Sequence, residues 1–539
     1  MSRATMLRTL SLCVLLMGAG ATAACGGSTT QQGNGTTVTT VNMDDELITV
    51  SRPEHVRVAP PASGPASDLR FPAIARVTTR SGLELDTVAS NALPVVYFRL
   101  VIKSGEAADP ANMPGVAHLV AEMLKEGTRT RSSAQLAEDV EFLGASLDVG
   151  SDEESIYISG RCLKDQLDAM LAIVADVAQN PAFTDAELTK LKRREVDRLQ
   201  LQLAEPSFLA AREVYATLYG AHPYARIDTT EAVVNRVTRA DLQRWHRAHF
   251  VPNNAFLVTV GDTTADAVAQ SAERVFARWR HANVVRAAYP ATPTRTERKI
   301  IVVDRRDSVQ SVISVANLAL ARRDAQYIPL LVANQVLGGS PAARLFMDLR
   351  ERRSLTYGAG SRVGESVDVA PFRAYASVRN AVTAEAMSAF MEHLNRIVSE
   401  APPAEELDNA RRFLSDSFPL RIETPGKVAD LVAQLRIYGL PDDYWDTFRT
   451  QIGAVTPEQA LAAARQYMHP ESAVIVVVGK AAEVAEPLRL YGDVTIVSPE
   501  GVVGETLPRL PAGATAAPAA AAPPAAAAPA ATAPAAPTH

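Results

Sequence analysis

A chain of 539 residues is longer than one hydrophobic core supports, so we expect two or more domains. Its charged fraction of 21% indicates a soluble globular protein, and its small net charge of −6 argues against nucleic acid as a partner. The three cysteines exclude a disulfide framework, because Cys13 and Cys25 lie near the amino terminus and leave Cys162 as a core residue.

The first 24 residues have the pattern of a secretory leader. Arg3 and Arg8 form a positive region, a short apolar run follows, and the small residues 21–24 form a cleavage site. Cys25 comes next, as in a bacterial lipoprotein signal, so we predict it to be the lipidation site. The chain is then an exported lipoprotein of the bacterial cell envelope, tethered to a membrane in the periplasm. Cleavage and secretion without a lipid is the alternative.

Residues 25–70 are rich in Thr, Gly, Pro and Ser and show little apolar periodicity. This composition predicts a flexible tether. A flexible chain of this length has a reach of roughly 35–40 Å, which would hold a folded body just off a membrane surface.

Apolar periodicity predicts an α/β order for a first domain, residues 71–284. We expect strands at 73–80, 83–88, 94–103, 145–150, 155–161 and 255–260. We expect helices at 115–128, 133–143, 164–178, 184–203, 206–219 and 238–250.

A second domain, residues 298–495, repeats this order. Strands are predicted at 311–318 and 372–378, and helices at 327–337, 383–399, 403–417 and 427–437. Pro252 leads in nine steps to Gly261, and Pro470 leads in nine steps to Gly479, which indicates a duplicated unit of about 210 residues. A Pro-rich linker, 285–297, joins the halves. An Ala/Pro-rich tail, 496–539, is predicted to be disordered.

The stretch GVAHLVAEMLKEGT, residues 115–128, predicts an amphipathic helix that ends at a glycine. It resembles the signature helix of the pitrilysin/insulinase family of zinc peptidases, G-x-A-H-x-x-E-H-M-x-x-x-G-T. The matching residues are Gly115, Ala117, His118, Met123, Gly127 and Thr128. The resemblance implies an α/β (α+β) fold of two homologous halves, each a mixed β-sheet flanked by helices, that enclose a cavity.

Two chemical positions of the signature differ. The family's catalytic Glu is replaced by Ala121, which cannot accept a proton, and its second zinc-binding His is replaced by Glu122. His118 and Glu122 remain weak candidates for metal binding, with Glu195 as a weak candidate for the third ligand. We therefore expect no catalytic residue and no zinc on this chain. A surviving metal site at His118 and Glu122, or hydrolysis with an altered metal set, are the alternatives.

The segment LGGSPAARLFMDLRERRSLTYGAG, residues 337–360, resembles the family's second motif. The matching residues are Arg344, Leu345, Arg350, Glu351, Leu355 and Tyr357. The resemblance implies that Arg350 and Tyr357 contact the substrate, as a guanidinium on a carbonyl or carboxylate and a phenol on an oxyanion. The alternative is that Arg350 pairs with Glu351 and Tyr357 packs within the fold.

Some members of this family work as two half-size chains, one with H-x-x-E-H and zinc and one with the Arg/Tyr pair. The resemblance therefore implies a non-catalytic subunit of a heterodimeric zinc peptidase, whose partner chain carries H-x-x-E-H and zinc and whose substrates are peptides. A peptide-binding or scaffold lipoprotein of the envelope, without peptidase function, is the competing hypothesis.

Overall fold

The computed structural model describes residues 28–33, 36–43, 46–53, 69–284 and 288–511. The leader with Cys25, residues 285–287 of the predicted linker and the residues from 512 onward lie outside this part of the chain. Within the described residues, no helix has both the length and the apolar character that a membrane span requires.

Three antiparallel strands form a small sheet within the stretch predicted to be a tether. They are β1 Ser28–Gly33, β2 Thr36–Met43 and β3 Glu46–Pro53, in the order β1-β2-β3. The prediction of a flexible tether for residues 25–70 is therefore corrected over these segments. Their Thr and Val residues are β-branched and favour extended strands. A prediction based on apolar periodicity alone overlooks this preference.

The first half of the folded body contains a six-stranded mixed sheet, as predicted. Its order is β4-β5-β9-β6-β8-β7, and only the β5–β9 pair is parallel. The strands are β4 Ala75–Thr78, β5 Glu84–Ala89, β6 Val95–Ile102, β7 Ser146–Ser151, β8 Ile156–Leu163 and β9 Ala255–Gly261. The helices are α1 Val116–Leu124, α2 Ser133–Phe142, α3 Leu167–Gln179, α4 Asp185–Ala204, α5 Pro206–Tyr219, α6 Glu231–Arg236, α7 Arg239–His249 and α8 Ala265–Val275.

The second half contains a seven-stranded mixed sheet in the order β12-β13-β11-β14-β10-β15-β16. The strands are β10 Lys299–Asp304, β11 Gln310–Leu318, β12 Thr356–Val363, β13 Pro371–Arg379, β14 Val474–Gly479, β15 Val494–Val497 and β16 Val503–Leu507. The helices are α9 Tyr327–Leu337, α10 Arg344–Phe346 (continued by a π-helical turn, Met347–Arg352), α11 Thr383–Ser399, α12 Ala404–Asp416, α13 Pro425–Tyr438, α14 Tyr444–Ala454, α15 Pro457–Tyr467 and α16 Ala481–Leu488.

The strand orders confirm the duplication. The run β5-β9-β6-β8-β7 of the first sheet corresponds strand for strand to β10-β14-β11-β13-β12 of the second. Gly261 and Gly479, which marked the repeat in the sequence, end the equivalent strands β9 and β14. In this correspondence α1 matches α9, α4 matches α12 and α5 matches α13.

Each sheet is covered on one face by a helix from the other half. Helix α5 of the first half packs on β11 and β14, where Val214 and Leu218 share a buried apolar cluster with Val476. Helix α13 of the second half packs on β6 and β9, where Leu431 and Val258 belong to one core cluster. The two halves therefore share their hydrophobic cores.

Ion pairs reinforce this exchange of helices. Arg436 of α13 donates from Nε and Nη2 to the fully buried carboxylate of Asp86, each at 2.7 Å. Arg99 of β6 pairs with Asp430 of α13. Arg76 of the first half also donates to Asp86, at 3.2 Å. Removing a partner from a buried carboxylate is costly, so the Arg436–Asp86 pair helps to fix the register between the halves.

The second half extends past the predicted boundary at residue 495. Strand β15 runs parallel to β10, and β16 pairs antiparallel with β15, so the predicted start of the disordered tail at residue 496 is wrong. The apolar VTIV segment of β15 is largely buried at this position. Residues 512–539 of the predicted tail lie outside the described residues.

Candidate functional site

The signature helix α1 begins at Gly115, which has a φ of 86°. A Cβ at this position would lie 2.7 Å from the Cβ of Thr229, so only glycine fits both the backbone and the space. The Asp109 carboxylate accepts hydrogen bonds from the backbone N–H groups of Gly115 at 2.7 Å and Ala117 at 2.9 Å. Burial raises the pKa of Asp109 to about 7 in spite of these two bonds. Asp109 therefore fixes the start of the helix.

His118 lies on the first turn of α1 and meets Glu195 of α4. His118 Nε2 and Glu195 Oε2 are 3.2 Å apart, and the Glu195 side chain is only 6% exposed. Glu195, a weak candidate from the sequence, is thus the carboxylate that faces His118. The structure brings together the residues that match the first and third ligand positions of the zinc peptidase pattern.

Arg198 occupies the other side of Glu195. Its Nε donates to Glu195 Oε2 at 2.6 Å, and its two terminal nitrogens each donate to one oxygen of Asp228 at 3.0 Å. A fork of this kind matches a carboxylate pairwise. Glu195 therefore shares one oxygen between an imidazole and a guanidinium, and we refer to His118, Glu195, Arg198 and Asp228 as the His–Glu–Arg–Asp cluster.

The electrostatics of the cluster favour an ion pair between His118 and Glu195. Burial alone would raise the pKa of Glu195, but hydrogen bonds from His118 and Arg198 and the charges of both outweigh it and lower the pKa to about 2. Burial alone would lower the pKa of His118, but the hydrogen bond and charge of Glu195 raise it above its ordinary value of 6.5. Below pH 6.5 the pair is therefore mainly imidazolium and carboxylate.

The side chains at the two altered signature positions, Ala121 and Glu122, form no hydrogen bond or ion pair with the His118–Glu195 pair. Ala121 is fully buried in the core of the first half, and its methyl group offers no proton acceptor. The Glu122 carboxylate accepts a hydrogen bond from Lys125 Nζ at 2.7 Å. Glu122 therefore forms a local ion pair one turn along α1 and does not complete a set of three donors with His118 and Glu195.

These residues do not fit a zinc ion. Two ligand atoms of one tetrahedral Zn²⁺ lie about 3.4 Å apart, given Zn–N and Zn–O bonds of about 2.1 Å, so the His118–Glu195 spacing alone would suit a metal. However, protein zinc sites need at least three protein ligands. In the part of the chain that the structure describes, no group of three His, Cys, Asp or Glu side chains could hold a metal ion. Arg198, a fixed cation, also contacts the oxygen that a metal would use.

Arg350 and Tyr357 lie at the surface of the second half. Arg350 is in the π-helical turn, where its Nε is 3.4 Å from Glu351 Oε1 and its guanidinium lies 4.8 Å from the Phe346 ring. Tyr357 is in the edge strand β12, at an irregularity in its pairing with β13, and is 91% exposed. Arg350 thus makes the Glu351 contact of the alternative hypothesis, whereas Tyr357 does not pack and its phenol is open to solvent.

Sequence reasoning did not identify Arg198 and Asp228. One signal for Glu195 was present, because Leu188, Leu191 and Leu199 form the buried face of α4 and Glu195 falls on that face. A carboxylate in an apolar stripe needs a buried partner. The same reasoning could have found Arg198, which lies at i+3 from Glu195 on the same helix. Asp228 could not be found in this way, because it lies in a loop that only the fold brings near.

Two family models match this chain. Residues 87–227 match a model described as Insulinase (Peptidase family M16), and residues 236–414 match one described as Peptidase M16 inactive domain. The first range contains the whole His118–Glu195–Arg198 arrangement, and the second contains Arg350 and Tyr357.

Curated relatives are similar over most of their lengths. An uncharacterized zinc protease of Streptomyces coelicolor is 21% identical over 73% of this chain and 87% of that protein. An uncharacterized zinc protease of Mycobacterium tuberculosis is 24% identical over 76% of this chain and 94% of that protein. A protein of Helicobacter pylori named as a non-peptidase homolog, YmxG, is 23% identical over 67% of this chain and 83% of that protein.

Solved structures share the fold. The crystal structure of a peptidase M16 inactive domain from Pseudomonas fluorescens superposes with a TM-score of 0.71 at 26% identity, covering 75% of this chain and 98% of that one. A protease from Helicobacter pylori has a TM-score of 0.69 at 17% identity, covering 76% of this chain and 99% of that one.

Proposed function

This chain belongs to the insulinase family of peptidases, family M16, and we propose that it is a non-catalytic subunit of a heterodimeric zinc peptidase. Its partner in this proposal is a homologous chain that carries an intact H-x-x-E-H motif and the zinc ion. The substrates are peptides, and this chain contributes surface groups that hold them.

One observation carries the proposal: the residues at the catalytic Glu and second His positions cannot perform those roles. Ala121 is a buried methyl group, and Glu122 is paired with Lys125. Glu195, the remaining carboxylate of this site, is held in an ion pair by Arg198. The site has become a structural cluster of charges, and the similarity to a protein named as a non-peptidase homolog supports the same conclusion.

The exposed Tyr357 supports a role toward a partner or its substrate. A tyrosine side chain that is 91% exposed on an edge strand buries little surface within its own fold. Its O–H is free to donate to a developing oxyanion at another chain's zinc site. Arg350 lies seven residues before Tyr357 and its side chain is 46% exposed. It can exchange its contact with Glu351 for one with a peptide carbonyl or carboxylate.

The experiment has two arms. The purified chain alone should lack stoichiometric zinc and chelator-sensitive proteolysis, and the complex with its H-x-x-E-H partner should have both. Within that complex, Tyr357→Phe should lower turnover by about 10²–10³ if the phenol donates to the oxyanion, with assembly and zinc content unchanged. Tyr375→Phe is the matched control, because Tyr375 is a half-exposed tyrosine of the neighbouring strand β13. Unchanged turnover per assembled complex for Tyr357→Phe would remove the trans-acting role.

We further propose that the chain is a lipoprotein of the bacterial cell envelope, anchored through Cys25. The support is the order of charged, apolar and small residues before Cys25. Cys25→Ser should release the mature chain from membranes into the soluble fraction. Membrane association that persists in this variant would exclude the lipid as the anchor.

A peptide-binding or scaffold role is the second candidate. The Arg350–Glu351 contact favours it, because an arginine already paired on its own turn is less available to a substrate. Under this hypothesis the purified chain binds peptides, and no homologous partner with H-x-x-E-H co-purifies with it.

A further inference from the structure

A cavity of about 210 Å³ lies in the second half, away from the His–Glu–Arg–Asp cluster. It is formed by α9, α10 with its π-helical turn, α11 and α12. Helices α9 and α12 are the counterparts of α1 and α4, so the cavity occupies the region of the second half that corresponds to the surroundings of His118 and Glu195 in the first. A water molecule takes about 30 Å³ of liquid, so there is room for a small organic molecule.

Three buried polar side chains line this cavity with atoms that lack a partner. They are Gln335 at 5% exposure, Arg344 at 7% and His393 at 6%. Gln335 Nε2, Arg344 Nη1 and His393 Nδ1 make no hydrogen bond to any described residue. A buried polar atom without a partner costs about 1–3 kcal/mol, and three such atoms in residues around one cavity indicate that something fills it.

The other atoms of these side chains are fixed by strong contacts. Arg344 Nε donates to Glu406 Oε2 at 2.7 Å, while Nη2 lies 2.6 Å from the same oxygen without hydrogen-bond geometry. His393 Nε2 is bonded to Asp348 Oδ2 at 2.9 Å, and Asp348 is also paired with Arg353 at 3.0 Å. The side chains are therefore held in place at the wall of the cavity, and these three atoms stay unpaired.

The lining carries an excess of positive charge. Arg344, Arg352 and Arg396 contribute to it, whereas Glu406 balances Arg344 and Glu400 balances Arg396 at 3.0 Å. One arginine charge remains uncompensated at the exposed mouth. A single excess charge matches a singly charged anion better than a doubly charged phosphate.

Most of the remaining lining residues are apolar, with Ser340 and Asn409 as polar exceptions. Met347 and Phe413 are 39% and 49% exposed and flank its mouth. The other apolar lining residues are Val336, Ala342, Ala343 and Ala410. The cavity therefore combines buried polar groups, one unbalanced arginine charge at its mouth and several apolar side chains, as expected of a site for a small amphipathic molecule.

We propose that this cavity binds a carboxylate group attached to a short apolar body, with Arg344 Nη1 and Gln335 Nε2 as donors to the carboxylate. The carboxylate belongs either to a free small organic acid or to the carboxyl terminus of a peptide. This site is separate from the proposed trans-acting residues and does not depend on a peptidase partner.

The test uses the full mature chain and two matched pairs of probes. Pentanoate and pentanamide represent a free acid and its uncharged analogue, and N-acetyl-dialanine with a free or an amidated carboxyl terminus represents a peptide end. Calorimetric titration should show saturable binding of at least one carboxylate, at least about tenfold tighter than the matching amide, which is the ratio expected from one charge-assisted hydrogen bond. The member of the panel that binds identifies the source, and the imidazole signals of His393 in an NMR spectrum should shift with it.

Three variants locate the site. Arg344→Met should weaken binding by about tenfold or more, whereas Arg306→Met, at an arginine that is 89% exposed on the same half, should not change it. If Arg344→Met does not fold, Ala342→Phe decides, because Ala342 is exposed at the mouth and a ring there closes the entrance. Absence of saturable carboxylate binding to the wild-type chain, tighter binding of inorganic phosphate, or full binding by Ala342→Phe would each overturn the proposal.

Discussion

Replacing Glu195 by Gln tests whether the His–Glu–Arg–Asp cluster stabilises the fold as an ion-pair network. Gln keeps the shape of the side chain but removes its charge. The pKa of Glu195 is about 2 in the folded chain against an ordinary 4.5, and its side chain is 6% exposed, so the ionised form contributes about 3 kcal/mol to the free energy of unfolding. For a body of this size a loss of 1 kcal/mol lowers Tm by about 1 °C, so Glu195→Gln should lower Tm by about 3 °C.

The pH dependence of this difference has two limbs. Glu195 has a lowered pKa, so its contribution is present above pH 4.5 and is lost as pH falls toward 2, reaching about 1.4 kcal/mol at pH 3. His118 has a raised pKa, so its contribution is present below pH 6.5 and is lost as pH rises through its folded pKa. Both reflect one interaction and are not added. The difference in Tm between wild type and Glu195→Gln should therefore be largest between pH 4.5 and 6.5.

The assay is differential scanning calorimetry of both proteins at pH 3, 5.5 and 9, pH values set by the two titrations above. Groups that do not contact Glu195 titrate alike in the two proteins, so the difference isolates Glu195 together with its effects on His118 and Arg198. Glu187→Gln is the matched control, since Glu187 is on the same helix and also pairs with a cation at i+3, Lys190, which is 66% exposed. A solvated pair of this kind is worth about 0–1 kcal/mol. Equal Tm values at pH 5.5, or a difference that is the same at pH 3, would refute the ion-pair network.

Two further changes test the degenerate site and its helix. Ala121→Glu with Glu122→His should restore only weak zinc binding, measured by competition with a metal-chelating dye. Adding Arg198→Ala should strengthen zinc binding, because Arg198 holds the Glu195 oxygen that zinc needs. Equal zinc affinity with and without Arg198 would contradict this competition between Arg198 and zinc. Gly115→Ala should lower the free energy of unfolding by at least about 1–2 kcal/mol from its positive φ alone. This loss should exceed that of Gly144→Ala, because Gly144 also has a positive φ but has open space around it. Melting temperatures of the two alanine variants compare them, and equal values would show that the close contact at Gly115 has no effect.

Some helices could be predicted with their bounds, whereas α6, α8, α10, α14 and α16 were not predicted. Helices 206–219, 327–337 and 383–399 have the predicted bounds, because apolar spacing and nearby Pro or Gly residues define them. Strand β10 was not predicted, although it is a central strand. Its apolar run IIVV is only four residues long and directly follows the Pro-rich linker, so no alternation distinguishes it.

Edge strands were hidden for a different reason. Strand β12, TYGAGSRV, contains two glycines and polar residues, a composition that predicts a loop. Strand β15 was assigned partly, and β16 wholly, to the disordered tail, since β15 pairs with β10 almost 200 residues earlier in the chain and β16 pairs with β15. Pairing over such distances leaves no local signal in the sequence.

The site shows the same division between local and distant information. The changes at Ala121 and Glu122 can be read directly from the signature, and they gave the hypothesis of a non-catalytic chain. The partners that hold the remaining residues are not specified by the signature. Arg198 meets Asp228, which lies 30 residues further on in a loop. Glu122 pairs with the nearby Lys125, but this pair depends on rotamers that a sequence pattern does not specify.

The exchange of helices between the halves has a consequence for synthesis. The last strand of the first sheet, β9, is complete at Gly261, but the helix that covers one face of this sheet ends at Tyr438. At about 5–20 residues per second, the ribosome needs roughly 9–35 s to add the residues between them. During that interval the apolar face around Val258 lacks the helix that covers it, so the incomplete chain is more prone to aggregation than the finished one.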